Sequence, residues 1–190
     1  MALLDAASRQ SLLQRARSAI AHAIGAEGER VTRGGDLISD RHSLLPEDLR
    51  AGAFVTLRLK GHLRGCIGYP EPERPLLEVI ERCAVSAAIS DPRFPALTVA
   101  EWSEVDVELS VLGPIEPVAD IAEVVIGRHG LIVEFGRRRG LLLPQVAIEW
   151  KWGCAEFASQ TCIKAGLPGD AWQKGARLFK FEAEVFGESG

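Results

Sequence analysis

The chain has 190 residues, 47% hydrophobic and 25% charged, with a formal net charge of −4. Those proportions are ordinary for a globular protein and allow one domain over residues 1–190, with or without a smaller lobe, around a sizeable core. The acidic balance speaks against a broad nucleic-acid surface, and no apolar run approaches the roughly 20 residues of a membrane-spanning helix.

The first stretch meets Asp5 too early for a secretory leader, so a soluble cytoplasmic protein is expected. Leu12, Ala16, Ile20 and Ala23 recur at helical spacing; Asp5 or Ser8 can cap the start of that helix and Gly25 can end it. From Glu27 to Glu47 the periodicity vanishes, and Gly34, Gly35, Asp40 and Pro46 suggest an ordered excursion. Residues 51–69 read as two strands joined near Lys60–Gly61, the first alternating Phe54, Thr56 and Arg58 with Val55, Leu57 and Leu59. Pro75 opens a helix whose apolar stripe is Leu76, Ile80, Cys83 and Ala87, and Asp91–Pro92 stops it.

Val105, Val107, Leu109 and Val111 face one way along the clearest strand of the chain. A second hairpin is expected over residues 130–144, with Gly136 and Gly140 bracketing an arginine turn. Residues 156–166 look helical, and a last strand puts Phe179, Phe181, Ala183 and Val185 on one face. Because the strands come as neighbouring hairpins, the expected class is α+β with a largely antiparallel sheet.

The candidate chemistry centres on residues 62–72, "HLRGCIGYPEP". Strand alternation places His62, Arg64 and Cys66 on one face, with Arg64 and Cys66 about 7 Å apart at roughly 3.3 Å per residue. A cation at that range favours the thiolate, the reactive form of cysteine. His62, about 13 Å away on the same spacing, is too far for a direct dyad. Gly65 and Gly68 leave main-chain amides open to a ligand. The competing reading is a glycine turn around a small buried thiol.

Elsewhere the signals are plainer. Cys83 belongs to a core stripe, Cys154 and Cys162 stand too far apart to share a metal, and with no paired CxxC spacing all four cysteines read as free thiols. No zinc, iron or other cofactor is expected. In "SDPRFPAL", Asp91 and Arg93 form either a helix stop with local pairing or a fork that clamps a carboxylate or phosphate. His129 reads as a loop histidine or an acid/base group. Arg137, Arg138 and Arg139 form a solvated hairpin tip. Gln145 and Glu149 are one polar helix edge or a pair reaching into a cleft.

"LRGCIG", "DPRFPAL", "HGLIVEFGRRRGLLLPQVAIEW" and "SQTCIKAGLPGDAW", in that order from Leu63 to Trp172, resemble the AMMECR-domain family. Its bacterial members are called AmmeMemoRadiSam system protein A. The resemblance implies flanking helices on the sheet, a main lobe and a smaller lobe, and a cleft between them near the Cys66 turn. It also implies co-occurrence with a radical S-adenosylmethionine protein and a Memo-like protein, the latter related in fold to class III extradiol dioxygenases.

The resemblance brings no settled reaction, so two functions are carried forward. In the first, the chain is an enzyme or enzyme subunit acting on a small molecule. Cys66 is then nucleophile or ligand contact, Arg64 its electrostatic partner, and Gly65 and Gly68 amide donors to a developing oxyanion. Asp91 and Arg93 stand at the rim if the helix stop folds back over the strand. In the second, the same turn binds the Memo-like or radical-enzyme partner without catalysis.

Overall fold

The computed structural model describes residues 4–26, 46 and 48–188. The excursion expected around Gly34, Gly35 and Asp40 lies outside the described residues. The chain divides into two compact units, Met1–Val111 with Glu184–Gly190, and Leu112–Ala183.

In the first unit, helix α1 spans Ala6–Ile24. Asp5 caps it by accepting from the Ser8 N–H at 2.8 Å, and Gly25 ends it in the left-handed conformation at φ 73°. Strands β1 (Ala53–Leu59) and β2 (His62–Tyr69) are joined by Lys60 and Gly61, with φ of 52° and 81°. Two consecutive positive φ values make the tight turn whose twist matches a hairpin. Helix α2 (Leu76–Ile89) follows Pro75 and buries Leu76, Val79, Ile80, Cys83, Ala84 and Ala87. After a turn comes the short helical segment α3 (Val99–Trp102), closed by a capping box between Thr98 and Glu101.

Strand β3 (Val105–Leu112) completes the antiparallel order β2–β1–β3, and beside it Glu188 N–H donates to Val107 O at 3.3 Å. Val55 and Leu57 on β1 align with Leu109 and Val107 on β3, and all four are fully buried in one core with α1 and α2. Arg17 ties this unit together from α1. Its guanidinium lies 4.3 Å from the Trp102 ring centre, donates to Val105 O at 2.6 Å and pairs with Glu188.

The second unit contains the short strand β4 (Glu116–Pro117), the hairpin β5 (His129–Phe135) and β6 (Arg138–Leu142), and helices α4 (Pro144–Glu149) and α5 (Cys154–Lys164). The last strand, β7 (Arg177–Gly187), begins here and pairs antiparallel with both β5 and β4. Leu131, Val133, Phe157, Ala158 and Cys162 form its core. Two details differ from expectation. The hairpin turn is Gly136–Arg137, so Arg138 and Arg139 lie within β6. Nor does β7 bury the single face Phe179, Phe181, Ala183 and Val185: Leu178 joins the second unit's core, Phe186 packs on the first unit's core, and Val185 is exposed. A strand that serves two cores cannot keep one alternating face for both. Antiparallel strands with flanking helices make each unit α+β, the expected class.

Candidate functional site

The hairpin turn fixes Leu59 opposite His62, and Arg58 follows opposite Leu63. The register then shifts: Leu57 faces Gly65 and Thr56 faces Cys66, leaving Arg64 as an extra residue, a bulge on β2. Because side chains alternate, one inserted residue exchanges the faces of everything beyond it. Cys66 therefore stands with Thr56 and Glu108 in a row across β2, β1 and β3, on the face opposite the α1–α2 core. His62, paired with Leu59, lies on the other face, so the expected single face of His62, Arg64 and Cys66 does not form.

Arg64 is not placed as the partner of the thiol. Its side chain is buried, and its hydrogen bonds run to the segment after α2. Nε and Nη2 donate to the two Glu101 carboxylate oxygens at 2.9 and 3.2 Å, Nη1 to Pro95 O at 2.9 Å, and Nη2 to Ala96 O at 3.3 Å. A bulged residue is unpaired in the ladder, and here its guanidinium anchors it. The Arg64 guanidinium in turn holds Glu101 down to about 2, with the Thr98 amide assisting.

The helix stop does fold back onto β2. Asp91, only 4% exposed, accepts the Cys66 N–H on Oδ2 at 2.9 Å. Arg93 grips the same carboxylate through Nε at 2.9 Å and Nη2 at 2.7 Å, while Nη2 also donates to Cys66 O at 3.1 Å. The Arg93 guanidinium, helped by the Cys66 and Arg93 amides, keeps the Asp91 carboxyl well below the usual carboxylate range against the opposing effect of burial. Asp91 and Arg93 thus clamp both outward-facing backbone groups of Cys66. The Cys66 sulfur itself is half-buried and accepts from the Thr56 hydroxyl at 3.3 Å. The cation that contacts Cys66 is Arg93 rather than Arg64, and it does so through the main-chain carbonyl.

The two glycines flanking Cys66 act through packing. A Cβ on Gly65 would sit 2.1 Å from Ala87 O, so the bare glycine lets the α2 backbone lie directly on β2. At Gly68 a Cβ would overlap the Phe54 ring, its cross-strand neighbour. Cys66 N–H points away from β1, so in the antiparallel alternation Gly65 turns its amide toward β1 and Gly68 turns its amide outward. Gly65 is thereby removed as an oxyanion donor.

The remaining candidates separate from this site. His129 accepts from Val125 N–H on Nδ1 at 3.0 Å, and burial, with Lys180 and Arg128 nearby, lowers its pKa. That geometry is structural. Glu149 is exposed on α4, and Gln145 is half-buried with Oε1 enclosed and without a partner among the described residues. Cys83 is buried and its thiol is pushed up to about 11 by that burial; Cys162 is buried and raised for the same reason. Cys154 is half-buried and donates to Val124 O at 3.2 Å. Among the described residues no group of three His, Cys, Asp or Glu gathers as a metal site, and no helix is long and apolar enough to cross a membrane.

Sequence reasoning missed Thr56, Glu101 and Glu108. Thr56 stands in the alternation of the first strand, but its place beside Cys66 depends on the bulge. Glu101 carried a readable signal, the Thr98–Glu101 capping-box spacing, which identifies the short helix without naming Arg64 as its partner.

These features define an α+β protein of two units, with a partly exposed cysteine on an edge strand clamped by an Asp–Arg pair. The chain belongs to the AMMECR1 family, which it matches over residues 13–186. It is 50% identical over 159 residues to a protein of Methanothermobacter thermautotrophicus, covering 77% of this chain and 83% of that one. It is 46% identical over 148 residues to protein MJ0810 of Methanocaldococcus jannaschii, covering 73% and 74%. The crystal structure of the uncharacterized protein PH0010 from Pyrococcus horikoshii aligns with a TM-score of 0.82 at 38% identity, over 97% of this chain and 93% of that chain.

Proposed function

We propose that this protein is a cytoplasmic component of the AmmeMemoRadiSam system, an enzyme or enzyme subunit that uses the Cys66 thiol on a small molecule. The observation that carries this reading is the position of the sulfur. It is half-buried, off the helix-covered core, and it accepts a hydrogen bond from Thr56, on a residue whose carbonyl is held by Arg93. A half-buried sulfur on an edge strand is open to a small electrophile, and cysteine is the nucleophile of this segment. Asp91 and Arg93 fix the main chain on which it stands.

The test mixes the protein with a radical S-adenosylmethionine protein and a Memo-like protein of that system and follows small-molecule products by mass spectrometry. Cys66→Ser should keep its melting temperature within a few degrees and abolish product formation. A variant as active as the parent would sink the reading.

A second reading, a non-catalytic partner protein, draws on Leu63, Ile89 and Val99. Each is an exposed apolar residue one or two positions from Arg64, Asp91 or Glu101. A stable complex unaffected by Cys66→Ser and weakened by Leu63→Asp would favour it.

A further inference from the structure

We propose that the peptide joining Val124 to Val125 is a pH-sensitive latch in the second unit: protonation of His129 releases it, and the release frees the Cys154 thiol. It does not depend on the reading of Cys66.

One rigid peptide plane lies between two titratable side chains. Its N–H, from Val125, donates to His129 Nδ1 at 3.0 Å, and its C=O, from Val124, accepts from Cys154 Sγ at 3.2 Å. In a trans peptide the two groups point in opposite directions, so the imidazole and the thiol hold opposite edges of the same plane. The main chain dictates both protonation states. An amide N–H can only donate, so Nδ1 carries no proton and the neutral ring keeps its proton on Nε2. A carbonyl can only accept, so Cys154 is held as the thiol.

A further proton on the ring must go to Nδ1, where it sets a donor against a donor. The peptide cannot turn over to offer its carbonyl instead. Val125 has a negative φ, and a half-turn of the plane would carry it to the positive side, which β-branched residues resist. The plane swings aside, and because it is rigid the C=O leaves Cys154 as the N–H leaves His129. Val125 O stays anchored by the amides of Arg128 and His129, at 3.1 and 2.9 Å, so the motion pivots there. Cys154 then loses the bond that favoured its neutral form, and its thiolate share and reactivity rise.

The surroundings of His129 set where this happens. Burial opposes the imidazolium most, followed by Lys180 of β7 and Arg128 of the loop. Glu182 of β7 and Glu116 of β4 favour it, but Glu182 is paired with Arg128, as Lys180 is with Glu123. The ring therefore takes its proton on the acid side of the ordinary histidine value, and at neutral pH the latch is closed.

The test follows the reaction of the folded protein with dipyridyl disulfide, a reagent that stays reactive in acid. The cysteine sulfur forms the new S–S bond, and a pyridinethione leaves with the electron pair of the old one. Mass-mapped rates at Cys154 are divided by those of N-acetylcysteine in the same buffers, and the His129 ring is titrated alongside by NMR. As His129 takes its proton, the Cys154 ratio should rise roughly fivefold, the effect of about one net hydrogen bond. In His129→Gln, whose side-chain oxygen accepts without titrating, the ratio should stay flat. In His129→Ala it should be high at every pH. If neither variant folds, amide exchange at Val125 in the wild-type protein decides, with protection lost in step with the ring titration. A flat wild-type ratio, a rise retained in His129→Gln, Val125 protection that persists on the protonated ring, or a ring still neutral at about pH 5 would each overturn the latch.

Discussion

Cys66 stands opposite Thr56, whose hydroxyl donates to its sulfur at 3.3 Å. The turn at Lys60–Gly61, continued without interruption, would instead pair Cys66 with Val55, a fully buried core residue. The thiol would then be a small hydrophobe under the helices. One bulged residue, Arg64, moves the register by a single position and brings the sulfur to the opposite face. Arg64 is a positioning residue: it holds the bulge that decides which way Cys66 points.

Arg64→Ala should therefore act on stability first. It leaves the Glu101 carboxylate and the carbonyls of Pro95 and Ala96 without their donor. A loss of about 2–3 kcal/mol is expected, below the roughly 3–5 of a fully buried pair because Glu101 is partly solvated. Denaturant unfolding checks this, and a change under about 0.5 kcal/mol, typical of plain surface sites, would contradict it.

Asp91 links stability to acid. Its folded value lies below the unfolded one, so its contribution is complete above the ordinary aspartate value of about 3.9 and is lost as pH falls through the folded value. Asp91→Asn should lower stability at pH 7 by about 2–4 kcal/mol, since it leaves the Arg93 charge and the Cys66 amide poorly matched. The difference from wild type should shrink steadily as pH falls below about 4, because the variant has no such carboxylate to protonate. Parallel stability curves down to pH 2 would refute this assignment.

At Gly65 the constraint is contact. An added Cβ meets Ala87 O at 2.1 Å, a main-chain atom in the body of α2 that cannot step aside alone. Gly65→Ala should cost about 2–3 kcal/mol, in the upper range for overpacking. Thermal unfolding of the variant within a degree or two of wild type would show that α2 can lift off β2 freely.

The local devices were legible in the sequence. The Asp5 cap, the Gly25 stop, the Lys60–Gly61 turn and the apolar stripe from Leu76 to Ala87 each depend on neighbours a few residues away, and each stands where the pattern places it. The approach of Asp91 and Arg93 to β2 was legible only as a condition, because a helix stop announces a turn without saying where the chain goes next. The bulge was not legible. Nothing in "HLRGCIG" marks Arg64 as the extra residue, since what stabilises it there is Glu101, 37 positions away. Alternation alone consequently gave His62 and Cys66 a common face and gave Arg64 an electrostatic role at Cys66, whereas its guanidinium is turned to Glu101. Along β7 the expected face failed for a related reason: the strand packs on two cores, and a single period cannot describe both.

The central claim is that the bulge presents Cys66 as a reactive thiol, and mass-mapped alkylation of the folded protein tests it most directly. Cys83, its thiol pushed up to about 11, should label slowly from ionisation alone, roughly a hundredfold below an ordinary thiol, and its burial slows it further. Cys162, buried and likewise raised, should lag as well. Cys66 should label first, because its sulfur lies off the helix-covered core, with half-buried Cys154 its nearest rival. Labelling of Cys66 that waits for unfolding, in step with Cys83, would contradict the account and return the thiol to the role of packing.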